Sequence, residues 1–340
     1  MSSFLRSVGD FFHAIRDHAW TASEIAAGWR PEAPVLVDLL GGGRRKGLNE
    51  APDCFYSLTF LLLGPGRSYE LRLPETKAFY TVVTLHSPDD QSSLELVSDD
   101  GEAGLAGRTV TLAPGAAAPG GLDTAPYRGL TQIMVRQYCR SIEDASERPF
   151  PQLRAVSPDG GPVAAARRLP HALVAGFYFF RWRLKALLGL KYLLTRLGGR
   201  VPKNTFLSFE EVLSIWHGGP EVVTRLAVRD FKYVFCIYEL GEDEVLRVRY
   251  GPGTGRYFSY SLVNLGGLQG LDHYRRPTYC NSFQLTPDAE GVYTVDVGPQ
   301  AGNGAPWMDT TGYRRGVLGF REILPADGGS RPVCTVAPAG

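Results

Sequence analysis

Paired cysteines are missing from this sequence. The five it has, Cys54, Cys139, Cys236, Cys280 and Cys334, are odd in number and nowhere stand at a Cys-x-x-Cys spacing. A disulfide framework and a zinc knuckle are both poor readings of that pattern. A dominant charge is missing too: 36 Lys and Arg against 35 Asp and Glu leave +1, no field to collect nucleic acid. Long uncharged runs are lacking. The most apolar stretch, 172–197, is broken by Arg181, Arg183, Lys185, Lys191 and Arg196, short of the ~20 residues a spanning helix needs. The N-terminal stretch has no signal-peptide core, since Arg6, Asp10, Arg16 and Asp17 interrupt it. The expectation is a soluble, cytoplasmic protein.

Signatures of metal and cofactor chemistry are also wanting. His13, His18, His86, His171, His217 and His273 show no HxH or HExxH spacing. The nucleophile motif GxSxG is absent. GGGRRKG at 41–47 lacks the P-loop Lys-Ser/Thr ending, and GPGTGRY at 251–257 reads as a turn between strands, not a dinucleotide loop. The expectation is a chain with no metal, no cofactor and no redox role.

What is present is punctuation. Forty Gly and 24 Pro divide short β-branched and aromatic runs at 54–63, 69–73, 78–86, 92–97, 107–112 and 130–139. A second series follows at 232–240, 244–250, 256–264, 291–297 and 316–322. The segments 68–86 and 244–264 share the order strand, Pro-containing turn, aromatic strand. Those around 97–115 and 285–300 share an acidic-Gly turn followed by a strand. The reading is mainly β: two antiparallel jelly-roll-like β-sandwiches. The expected divisions are an N-terminal amphipathic helix (1–34), a first sandwich (35–160), a helical bridge (161–225), a second sandwich (226–325) and a tail (326–340).

The first helix is read from Phe4, Val8, Phe11 or Phe12, Ile15, Ala19 and Ala22 at helical spacing. In the bridge, Ser208 and Glu211 form a capping box, with Leu207 placed to pack on Val212. Gly218, Gly219 and Pro220 would stop that helix after His217. Cys54, Cys139 and Cys236 sit in apolar runs as small buried thiols, whereas Cys280, among polar neighbours, is the one candidate for reactivity. Bases interleaved with aromatics on 172–197 allow a membrane-surface role for that helix.

The C-terminal block runs RYFSYSLVNL, LDHYRRPTYCNS, APWMDTTGYRRGVLGFREILP. It resembles the bacterial family catalogued as domain of unknown function 1214, which carries an Asp-Tyr-Arg-x-Arg segment closing on Leu-Asn and an Asn-Trp-Leu-Asp-Thr-x-Gly-His segment. Asp272, Arg276, Asn281, Trp307, Asp309, Thr310 and Gly312 match that pattern. His273, Tyr274, Cys280, Pro306, Met308 and Tyr313 depart from it. With YELRLPETKAFYTVVTLH and GLTQIMVRQY upstream, the resemblance spans residues 35–325. It implies paired jelly-roll-like sandwiches and brings no accepted catalytic residues.

The chemistry of this block is polar. Asp272, Tyr274, Arg276 and Asn281 follow a Gly-rich corner, and Trp307, Asp309, Thr310, Tyr313 and Arg314 precede the last strand. Loops on a rigid β scaffold carrying such groups suit a polar or amphiphilic small molecule. In a metal-independent enzyme, Asp309 or Asp272 would be the acid or base, and Tyr274 or Tyr313 a hydrogen-bond donor. Arg276 would hold an anion, with Asn281, Thr310 and Arg314 as further ligand contacts. In a binding module for a glycan, lipid or metabolite, Trp307 would be the platform. A third reading is a scaffold or membrane-surface protein. Against all three, Asp309 before Thr-Thr-Gly also makes a side-chain-to-backbone turn, and Asp272 with Arg276 could pin a corner. Oligomeric state is left open by the sequence.

Overall fold

The computed structural model describes residues 3–40, 51–87, 93–99, 105, 107–116, 120–146, 149–157, 168–197, 200–208, 210–212, 231–251, 253, 255–301, 304–323 and 330–339. The basic loop at 41–47 and the helix stop at His217–Pro220 lie outside them. The chain divides into two units. The first is Arg16–Arg45 with Asp53–Lys185, and the second is Met1–Ile15, Lys46–Pro52 and Ala186–Gly340.

The elements in order are α1 (Ser3–Gly28), β1 (Val37–Asp38), β2 (Cys54–Leu63), β3 (Ser68–Arg72), β4 (Tyr80–His86), β5 (Ser93–Asp99), β6 (Thr109–Ala113), β7 (Gly121–Asp123), β8 (Gly129–Tyr138), α2 (Ile142–Ser146), β9 (Gln152–Val156) and α3 (Arg168–Leu197). Then follow β10 (Phe206–Ser208), β11 (Phe231–Glu239), β12 (Glu244–Tyr250), β13 (Tyr257–Val263), β14 (Tyr279–Asn281), β15 (Tyr293–Gly298), β16 (Trp307–Asp309), β17 (Arg315–Ile323) and β18 (Val333–Pro338). The protein is mostly β. The unit boundary passes through α1 after Ile15 and through α3 after Lys185, so neither helix belongs wholly to one unit.

The two units have the same topology. In the first, five strands run β1-β2-β8-β4-β5 and four run β7-β6-β3-β9. In the second, the orders are β10-β11-β17-β13-β14 and β16-β15-β12-β18. Each strand of the second unit is its twin in the first moved on by nine. The mixed character repeats as well: β6·β7 and β15·β16 are parallel, while the other strand pairs are antiparallel.

Burial explains the strand sequences. β3 and β6 alternate buried and less buried positions, whereas β13 and nearly all of β2, β4, β8 and β17 are buried. Strands covered on one face alternate, and strands covered on both read as continuous apolar runs. In each unit both sheets feed one apolar cluster. Leu61, Val83, Leu112, Val135 and Leu153 belong to the first unit's, and Tyr238, Leu246, Tyr260, Val297 and Phe320 to the second's. The other face of the second unit's five-stranded sheet meets helix, where Ala14 and Leu187 join Val263 and Val317.

Several expectations change here. The expected tail contains β18, which pairs with β12 from Glu244↔Pro338 to Arg249↔Val333. The expected bridge contains β10, which pairs with β11. The apolar stripe of α1 is partly displaced: Ala14, His18, Thr21, Ala22 and Ile25 are buried, while Phe4, Phe12 and Ala19 are exposed. The buried face is polar at His18 and Thr21, which apolar spacing does not show, while Ala22 is buried and Phe11 and Ile15 pack against a core cluster as the stripe predicts. The capping box is formed, with Ser208 N–H donating to Glu211 Oε2 at 2.7 Å and Glu211 N–H to Ser208 Oγ at 3.3 Å. Cys280 is buried, its thiol pushed up by burial, with Sγ 3.6 Å from Met308 Sδ. A buried protonated thiol is unreactive.

Candidate functional site

The turn from β16 to β17 is where most of the candidate residues meet. β16 is only Trp307, Met308 and Asp309, held parallel to β15, and the Trp307 indole N–H donates to Gly298 O at 3.1 Å. Asp309 is 5% exposed. Its N–H donates to Pro277 O at 2.8 Å, Oδ1 accepts from Thr311 N–H at 2.6 Å, and Oδ2 accepts from Arg276 Nη1 at 2.7 Å. Thr311 at φ 54° and Gly312 at φ 77° then reverse the chain, a geometry that a short acidic side chain stabilises by accepting from the backbone two residues on. The partner of Arg276 is therefore Asp309, not Asp272. Asp272 lies 3.9 Å from exposed Arg275 instead.

The first unit makes the same turn. Asp123 Oδ1 accepts from Ala125 N–H at 2.8 Å and from Gly115 N–H at 2.7 Å, which hold its carboxyl below the usual range. Thr124 N–H donates to Ala113 O as Thr310 N–H does to Gly298 O, and Tyr127 N–H to Thr124 O as Tyr313 N–H does to Thr310 O. Leu-Asp-Thr-Ala-Pro-Tyr-Arg at 122–128 and Met-Asp-Thr-Thr-Gly-Tyr-Arg at 308–314 are one motif twice. Asp309 is thus first a turn former. Functional content must be sought where the second unit differs from its twin.

One difference is Tyr238. It stands opposite Gly316 in β17 as Leu61 stands opposite Thr131 in β8, counting from the ladder ends Phe231↔Ile323 and Cys54↔Tyr138, so the fold is made with leucine there. Tyr238 is fully buried, and its hydroxyl has no hydrogen-bond partner among the described residues. Burial, then the nearby Tyr313, push its ionisation up. Gly316 leaves the room, since a Cβ there would stand 2.4 Å from the Tyr238 hydroxyl. Thr310 Oγ1 is likewise buried and unpartnered among the described residues.

Thr310, Gly312, Tyr313 and Arg314 line a cavity of ≈ 200 Å³ together with Leu240, Gly241 and Glu242 from the turn after β11, and Pro299. Arg314 and Glu242 pair across it, both largely exposed. Tyr313 donates to Asp10 at 3.0 Å, Arg6 lies over its ring at 4.9 Å, and Arg6 Nη1 donates to Gly312 O at 3.0 Å. Burial and the Asp10 carboxylate raise the Tyr313 hydroxyl well above its ordinary value.

The expected constellation thus falls into three places. Thr310, Tyr313 and Arg314 line the cavity, with Asp309, Arg276 and Trp307 in the turn that supports it. Tyr274 is 42% exposed and packs on His273. Asn281 is fully buried in β14, where its Nδ2 donates to Tyr279 OH at 2.9 Å and its Oδ1 accepts from Phe283 N–H. Asp272, Tyr274 and Asn281 are not among the cavity's lining residues. Tyr238, Glu242 and Asp10 were not anticipated. Alignment of β2 with β11 would have exposed the Leu61-to-Tyr238 exchange. Among the described residues, no three His, Cys, Asp or Glu side chains gather where a metal ion could be held.

The molecule is a mostly β protein of two topologically equivalent units. Among solved structures it is similar to an uncharacterized protein from Burkholderia cenocepacia, at 16% identity and a TM-score of 0.70, over 96% of this chain and 87% of that one. It is also similar to the VPA0106 protein from Vibrio parahaemolyticus, at 10% identity and a TM-score of 0.55, over 97% and 98% of the two chains. These likenesses are of fold. No protein-family model matches the chain, and no curated protein matches it.

Proposed function

We propose that the second unit is a jelly-roll-like module that binds a small oxygen-rich molecule, a carboxylate or polyol, in the cavity beside the β16–β17 turn. One observation carries this reading: two buried hydroxyls are unpartnered among the described residues, Thr310 in the cavity lining and Tyr238 behind that lining, two residues before Leu240, where the twin unit has leucine. An unmet buried hydroxyl costs about 1–3 kcal/mol, and a ligand that accepts from it recovers that cost. Thr310 Oγ1 offers a second hydroxyl, and Arg314 a cation at the rim. At ~30 Å³ per water-sized volume the cavity holds a molecule of about six or seven non-hydrogen atoms. The engagement of both Asp309 oxygens supports binding over acid–base turnover. The Tyr313–Asp10 pair at the cavity wall is the feature that favours turnover.

The test is Tyr238→Phe, read by thermal melts with glycerol and lactate as probes. The variant should be as stable as the parent, or more stable by about 1 kcal/mol, and should lose the probe-induced rise in midpoint. A loss of stability in the absence of probe would mean that the hydroxyl already has a partner in the fold, and the site would be withdrawn.

A further inference from the structure

Most of the large apolar side chains left exposed among the described residues lie on two helices: Phe4, Leu5, Phe12 and Trp20 on α1, and Leu173, Val174, Phe177, Leu188 and Tyr192 on α3. A helix on the surface of a folded domain turns its apolar stripe inward and its polar residues outward. α3 does not follow this rule. Within the first unit its exposed positions 173 or 174, 177, 181 and 185 succeed one another at three- and four-residue steps, which makes them one stripe. Arg181 and Lys185 are the charged side chains on it, and helix α3 contains no Asp or Glu in its 30 residues. Among the described residues Arg183 is its buried charge, lying over Trp182 at 4.8 Å. α1 has the same bias. Arg16 and His13 are exposed, while Asp10, Asp17 and Glu24 are all at least partly buried.

We propose that the outward face of α3 docks on an anionic lipid surface. Exposed apolar patches on soluble folds mark interaction sites, and the composition of this one selects the occupant. Leu173, Val174 and Phe177 enter the headgroup–acyl boundary, and Arg181 and Lys185 meet lipid phosphates and carboxylates. No helix of the described residues is long and apolar enough to cross a membrane, so the helix lies on the surface. A second copy is the poorer occupant. A two-fold contact through this stripe would set Arg181 and Lys185 against their own counterparts with no carboxylate on the helix to offset them.

The full-length chain is tested by sedimentation with vesicles of phosphatidylcholine, with and without phosphatidylserine. The protein should sediment with the anionic vesicles, weakly with the neutral ones, and less as salt is raised. Leu173→Glu with Phe177→Glu should lower partitioning at least tenfold at an unchanged melting midpoint, because both side chains are exposed. Should that pair disturb folding, Arg181→Gln with Lys185→Gln decides. It should remove the preference for phosphatidylserine and leave binding to the neutral vesicles as it was. No sedimentation with anionic vesicles, or equal sedimentation of parent and both variants, overturns the proposal. So does concentration-dependent self-association that Leu173→Glu and Phe177→Glu abolish, which would assign the face to a second copy.

Discussion

Asp123 and Asp309 each accept a hydrogen bond from the backbone two residues further on, in the same turn of the two units, but only Asp309 also holds an arginine. The turn is therefore a property of the fold, and Arg276 is an addition to it. Arg276 is 57% exposed at its side chain against 7% for Asp309, so the carboxylate depends on the pair more than the guanidinium does.

Arg276→Met should accordingly destabilise the chain by about 2 kcal/mol, the value of a hydrogen bond to a charged group that leaves a buried partner unmet. Asp309→Asn should cost a similar amount, and the double variant less than the sum, because both changes break one contact. Urea titrations give all three values. Additivity would mean that the two side chains act independently.

Two histidines of the first unit, buried His18 and partly buried His86, predict its acid response. Burial, then Arg183, lower His18 to about 3 against the raising influence of Asp17, and burial, then Arg136, lower His86 to about 3. Above the unfolded value near 6.5 both states are neutral and the full stability is present. As pH falls below it, the unfolded chain takes up the proton first and stability is lost down to about pH 3. At pH 5 the loss from His18 alone is about 2 kcal/mol, at ~1.4 kcal/mol per pH unit. Denaturant melts of His18→Asn between pH 7 and pH 5 should show a shallower slope than the parent, whatever the variant's stability at pH 7.

At the capping box, Ser208→Ala should cost about 1 kcal/mol. Glu211→Ala removes the reciprocal bond and also the 2.9 Å contact with Arg331, so its effect should shrink in high salt while that of Ser208→Ala should not. The Ser208 N–H first, and Arg331 with it, hold the Glu211 carboxyl below its usual range. Its contribution is therefore complete above the unfolded glutamate value and fades as pH falls through the lowered one. Melts at two salt concentrations and across pH 3–6 check both statements.

Thiol labelling provides a test of the core. Cys54, Cys139, Cys236 and Cys280 are buried and Cys334 is partly exposed. A maleimide should modify Cys334 first and the other four only at the rate of unfolding, as read by mass spectrometry.

The long strands were legible in the sequence because burial on both faces leaves a continuous apolar run, as in Cys54–Leu63. The short ones were not. β7 is Gly-Leu-Asp, with Leu122 as its one buried apolar side chain beside Gly121, and three residues are too few to show a period. β18 is mostly exposed, so its residues carry no core signature, although the repeat required a partner for β12 just as β9 partners β3. The candidate site was legible in part. Residues close in sequence, Thr310, Tyr313 and Arg314, stayed together. Asp272 and Asn281 were drawn in by nearness along the chain, whereas Tyr238 and Asp10 came from segments that only folding brings near.

The central strands of the five-stranded sheets, β8 and β17, are the eighth of nine in each series. During synthesis β2 and β4, or β11 and β13, must therefore wait with bare edges until the strand that separates and pairs with both has emerged. Contacts of such long sequence separation form slowly, and unpaired apolar strands in the interval are the species that aggregate. For the second unit the delay is longest, because Met1–Ile15 is made well before the strands of its unit, which begin after Ala186. Yield of native protein should thus be governed by how fast each eighth strand arrives, more than by the stability of the finished fold.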